Sequence, residues 1–127
     1  MNFIPCAAAK GGVILKGSDG VLKLPARFAG ALAKREGGEI TLGFRPEAAR
    51  FGGGQKAGGG VAFEARAQVL ELFGDSVSIF AEIGGHSVIL KTDPDHMPEE
   101  NETVKFTVPA DGIYLFESGQ NEASIEA

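Results

Sequence analysis

Apolar and polar positions alternate along this chain in short runs, and each run is closed by glycine or proline. Phe3-Ile4-Pro5-Cys6-Ala7-Ala8 reads as an opening strand. Val13-Ile14-Leu15-Lys16 and Val21-Leu22-Lys23-Leu24 flank Gly17-Ser18-Asp19-Gly20, which predicts a hairpin. Phe28, Ala29, Leu32 and Ala33 fall at helical spacing, so a short helical turn is expected over 28–34, stopped by Gly37-Gly38. Ile40, Leu42 and Phe44 then alternate with Thr41, Gly43 and Arg45 as a half-buried strand.

The second half repeats the period of two. Phe63, Ala65, Ala67 and Val69 alternate with Glu64, Arg66 and Gln68, and Val77, Ile79, Ala81 and Ile83 alternate with Ser76, Ser78, Phe80 and Glu82. Gly84-Gly85 predicts a tight turn into Ser87-Val88-Ile89-Leu90-Lys91. An acidic, proline-marked loop over 93–102 precedes Val104, Phe106 and Val108. Pro109-Ala110-Asp111-Gly112 then turns the chain into Ile113 to Phe116. Between Glu71 and Asp75 the alternation fails, because Val69, Leu70 and Leu72 cannot share a face; a bulge or bend eased by Gly74 is expected there.

Glycine fixes the organisation. Six of the ten residues in 51–60 are glycine, which holds neither helix nor strand well and predicts a flexible connector. It divides a first lobe, about 1–50, from a second, about 61–117; residues 118–127 lack periodic apolar positions and read as a mobile tail. All 127 residues make one domain of ordinary size, and 19 glycines in total suit a turn-rich all-β protein.

Charge and cysteine narrow the function classes. A net charge of −5 opposes an extended nucleic-acid footprint. Cys6 stands alone, so neither a disulfide framework nor a cysteine-paired metal knuckle is available. No apolar run approaches the roughly 20 residues that span a bilayer. Gly52-Gly53-Gly54-Gln55-Lys56 echoes the signature by which transport ATPases grip a γ-phosphate, but the serine is missing and no helix can start at Ala57-Gly58-Gly59-Gly60. The phosphate loop Gly-x-x-x-x-Gly-Lys-Ser/Thr does not occur in the sequence. No ATP binding or hydrolysis is expected of these residues.

Asn2-Phe3-Ile4 at the start, Gly43-Phe44-Arg45-Pro46-Glu47 about forty residues later, Val69-Leu70-Glu71-Leu72-Phe73-Gly74, and the closing Ile113-Tyr114-Leu115-Phe116 follow one another in a telling order. In order and spacing they resemble the C-terminal regulatory domain of ATP-binding cassette subunits from carbohydrate-type importers, such as the maltose and glycerol-phosphate systems. The resemblance implies two small oligosaccharide-binding-like β-barrels of the molybdate-binding (MOP or TOBE) type, with strands shared between them. It implies a non-catalytic domain that pairs with a second copy and serves an ATPase domain and membrane permease subunits. A regulatory protein is a further partner it implies. The location would be the cytoplasmic face of the membrane, reached through the complex and without insertion. ATP and magnesium would belong to the ATPase domain, with no cofactor here. Met1 stands where the family continues from an upstream domain.

Site expectations follow from the same stretches. Asn2, Phe3, Arg45, Pro46, Glu47, Glu71 and Gly74 are the candidate interface or regulatory residues. Proline suits the first position of a short turn and Glu47 its positive end, so the bland reading of Arg45-Pro46-Glu47 is a strand-to-turn junction with a surface pair. Free-standing modules of the resembled fold capture oxyanions at subunit interfaces, which makes Ser76, Ser78 and Lys91 candidate ligand residues for an alternative role as a sensing module. His86 and His96, with Asp93, Asp95, Glu99 and Glu100, read as a solvated acidic loop before a metal site. Use of such barrels for single-stranded nucleic acid needs exposed aromatics and basic charge; here the aromatics fall mostly within apolar runs.

Overall fold

A computed structural model describes residues 1–17, 20–51, 60–117 and 124–125. Among these residues ten strands and one short α-helix follow in order: β1 (Asn2–Ala9), β2 (Gly12–Leu15), β3 (Val21–Lys23), α1 (Ala29–Lys34), β4 (Glu39–Phe44), β5 (Val61–Phe73), β6 (Ser76–Ile83), β7 (His86–Thr92), β8 (Thr103–Val108), β9 (Tyr114–Glu117) and β10 (Ser124–Ile125). They form two antiparallel sheets, one ordered β10-β9-β4-β1-β2-β3 and one ordered β7-β6-β5-β8. The fold is all-β, as the alternation predicts, and OB-like, as the resemblance implies.

The period of two sorts each strand's residues. Ile4, Cys6 and Ala8 of β1 point inward, as do Ile40, Leu42 and Phe44 of β4. From the other sheet Phe63, Val77, Ile79, Leu90 and Phe106 meet them, and all join one continuous apolar cluster. Phe44, Phe63 and Phe106 lie at its centre, with Phe63 and Phe106 stacked at 5.3 Å and 14°. A fully buried side chain of this size contributes about 1.5–3 kcal/mol, so this cluster dominates stability. Helix α1, preceded by a 3-10 turn over Ala26–Phe28, lays Phe28 and Leu32 on the cluster.

Two sequence expectations shift. Strand β9 pairs with β4, with Leu42 opposite Leu115, so the end of the 61–117 lobe belongs to the first sheet. Conversely the backbone of Arg50 pairs with Thr107 of β8, and Phe51 packs against Phe106 at 5.8 Å. The two groups of strands exchange elements and share one interior. The irregularity expected at Glu71–Asp75 lies earlier, between Ala67 and Val69, where the β5–β6 register slips by one. Gln68 is the extra residue, and Gly74, at φ +59°, serves the hairpin turn instead. Most of the 51–60 connector and of the 118–127 tail lies outside the described residues, as do Ser18 and Asp19 of the first hairpin.

Candidate functional site

Among the described residues Asn2 is the polar one that the fold buries, at 7% exposure among otherwise apolar side chains. Its Nδ2 donates to the Ile89 carbonyl at 2.8 Å, and its Oδ1 accepts from the Ile89 N–H at 2.7 Å. A side-chain amide thus copies a strand's backbone pairing and joins β1 to the outer edge of β7. Buried polar groups are retained where their partners are complete, and here both ends are satisfied. A candidate contact residue is therefore a joint between the two sheets.

Phe3, on the opposite face of β1, is 51% exposed. It meets Phe116 edge-on at 5.6 Å, and Tyr114 stacks beside Phe116 at 6.4 Å. Gly43 lies beneath this cover; a β-carbon there would come within 2.8 Å of Phe116 and 3.0 Å of Met1. The glycine of the Gly43-Phe44-Arg45-Pro46-Glu47 stretch is thus fixed by aromatic packing.

Arg45 is extended and exposed, and Pro46 opens a 3-10 turn over Pro46–Ala48, as its fixed φ favours. The turn packs on β7. No Arg45–Glu47 ion pair forms among the described residues; Arg50 binds the turn instead, its Nη1 donating to the Glu47 carbonyl at 2.9 Å. Arg27, which no local pattern flags, donates to the carbonyls of Ala110 (2.7 Å) and Ile113 (2.9 Å) and lies 4.3 Å over the Phe28 ring. Arg35 pairs with Glu117 at 2.7 Å. Both guanidiniums tie the α1 region to the closing strand.

Glu71, Ser78 and Lys91 form one row across β5, β6 and β7 on the outer face of the second sheet. Ser76 is apart from them in the hairpin turn, its hydroxyl donating to the Phe73 carbonyl at 3.2 Å. Ser78 and Lys91 are therefore neighbours, but a carboxylate shares their row. The His96 ring and backbone both bond Asp93, and Glu102 accepts from the Glu99 N–H. That bonding with His96 holds the Asp93 carboxyl below its ordinary range. These are self-capping turns, and no group of three or more potential metal ligands occurs among the described residues. His86 ties the sheets as well, its Nε2–H donating to the Lys16 carbonyl at 2.7 Å.

Cys6 is buried, its thiol donating to the Ile4 carbonyl at 3.2 Å, and burial pushes its pKa from 9.0 up to about 12. In the unfolded chain the thiol ionises near its ordinary value, so the unfolded state gains charge first. Stability should be unaffected by this group below pH 9 and fall between pH 9 and 12, by at most about 4 kcal/mol. Urea unfolding across that range, against Cys6→Ala, checks it; parallel pH profiles would refute the assignment.

Residues 1–49 match the family model described as the MalK OB fold domain. Across 119 residues, 93% of this chain, the sequence is 31% identical to the sn-glycerol-3-phosphate import ATP-binding protein UgpC of Chromobacterium violaceum. Over residues 1–49 this chain resembles a MalK-type OB-fold domain. It spans 30% of the length of that UgpC protein. In fold this chain is similar to the cytoplasmic molybdate-binding protein ModG, solved with molybdate bound. The likeness has a TM-score of 0.66 at 14% identity and covers 90% of this chain and 94% of that one. Identity this low speaks for the architecture alone. No helix among the described residues is long and apolar enough to cross a membrane.

Proposed function

We propose that this chain is the C-terminal regulatory and dimerisation domain of an ABC importer's ATP-binding subunit, for a sugar- or glycerol-phosphate-class solute, and performs no chemistry itself. One observation carries the reading: nearly the whole chain aligns with less than a third of an importer ATP-binding protein, and the phosphate loop is absent from these residues. ATP and magnesium are then handled by an ATPase domain elsewhere in the subunit. The partners are that domain, a second copy of this one, the permease subunits and a regulatory protein, at the cytoplasmic face of the membrane.

The physical task is coupling. Two sheets that share one core, the first drawing strands from both halves of the chain, move as a single body, so a contact made on one face is transmitted to the other. Pairing two such bodies raises the effective concentration of one motor near its mate while the nucleotide sites open and close. The alternative, an oxyanion-sensing module, draws on the fold likeness and on Ser78 beside Lys91; Glu71 in the same row opposes an anion there.

Titration calorimetry with magnesium-ATP should give no binding heat, and thermal unfolding should be unmoved by millimolar molybdate or sulfate. Micromolar ATP affinity would defeat the coupling reading. A ligand-specific rise in melting temperature would favour the sensing module, since binding to the native state stabilises it by mass action.

A further inference from the structure

The slip at Gln68 has turned part of β5 over. Before it, Ala65 and Ala67 face the core; after it, Val69, Glu71 and Phe73 face solvent. Val69 is 48% exposed and Phe73 64%, and Ile89 on β7 is 38% exposed. On the inward side of the same strands Val77, Ile79 and Leu90 are at 0%, while Leu72 at the end of β5 stays 57% exposed. The outer face therefore presents apolar side chains that no described residue covers. A cleft of about 350 Å³ continues it past Phe80 and Ile89 to Met1 and Phe3.

Cross-strand register arranges this face in rows. Val69, Phe80 and Ile89 make one row, and Glu71, Ser78 and Lys91 make the next. In both rows β6 supplies the middle member. Glu71 and Lys91 stand on either side of β6, their backbones two strand spacings or roughly 10 Å apart. Neither is in an ion pair among the described residues.

We infer that the outer face of β5, β6 and β7 docks a second copy of this chain about a two-fold axis running along β6, with Glu71 of each copy against Lys91 of the other. The inference rests on the coupling reading above and names the surface through which two copies meet. Rotation about that axis exchanges the β5 and β7 sides while keeping each row level. Val69 then falls opposite Ile89, Phe80 opposite Phe80, and both charges are answered at once. Two sheets meeting face to face lie about 10 Å apart, which suits interdigitated valine, isoleucine and phenylalanine. The charge row is self-complementary under this one symmetry, as an isologous interface requires. A three-stranded face is small beside the roughly 800 Å² per partner of a standard interface, so the association is weak.

Sedimentation equilibrium on the 127-residue chain tests the face. The wild type should dimerise with rising concentration. E71K and K91E, each with unchanged far-ultraviolet dichroism, should each weaken dimerisation about tenfold or more, since like charges then meet across the axis. Mixing E71K with K91E, or joining both changes in one chain, should restore it. A short bis-maleimide should link S78C chains faster than K105C chains, because Ser78 lies near the axis and Lys105 on another strand. A dimer indifferent to the charge reversals overturns this face and leaves the coupling reading standing. A chain monomeric at every concentration also overturns the face. ATP binding would instead defeat the coupling reading, whatever the reversals do.

Discussion

Phe106→Ala should cost about 3–5 kcal/mol of folding stability, the largest loss expected from any single truncation in this chain. Phe106 is 1% exposed and stands where both sheets and the connector's edge converge, with Phe63 at 5.3 Å, Phe51 at 5.8 Å and Phe44 at 6.0 Å. Removing it opens a cavity between backbones that hydrogen bonding holds apart, so little collapse can offset the loss. Phe106→Leu keeps most of the volume and should cost roughly 1–2 kcal/mol. Urea unfolding of the three proteins decides the matter. A loss below about 1 kcal/mol for the alanine variant would mean that the aromatic cluster is not the centre of the core.

The second large effect belongs to Asn2. Asn2→Ala should cost about 2–4 kcal/mol, because the Ile89 N–H and carbonyl both lose their partner in a part-buried setting. Asn2→Asp retains the acceptor for the N–H but turns a carboxylate toward the carbonyl, and should be no better. Hydrogen exchange gives the more telling readout: the Ile89 amide should lose protection in both variants while amides in β4 keep theirs. Uniform loss across both sheets would show general destabilisation and sink the idea of a local joint.

Period-two alternation made β4, β6, β7 and β8 readable, because a sheet with one buried face writes its pattern into adjacent residues. Helical spacing found α1 from Phe28 and Leu32 for the same reason. What stayed hidden involves partners remote in sequence. Nothing local to Asn2 announces Ile89, and nothing near Arg27 announces the carbonyls of Ala110 and Ile113. The failed alternation was visible, yet glycine drew attention to position 74, although a bulge needs only one surplus residue and Gln68 supplies it. Of the candidate site, Glu71, Ser78 and Lys91 were each singled out separately; only the register places them in one row. Asn2, a candidate contact, forms a structural tie within the chain.

Strand β9 carries a further consequence through its place between β4 and β10. During synthesis β4 leaves the ribosome with β1 already made but seconds before the β9 residues that will cover its other edge exist, at ordinary elongation rates. For that interval the Ile40–Phe44 edge offers unpaired amides and carbonyls to whatever strand arrives first. Closure of the first sheet is thus a late, non-local event, slow for its size. Any ribosome stall or proteolytic nick ahead of Leu115 would strand the nascent chain in its most adhesive form.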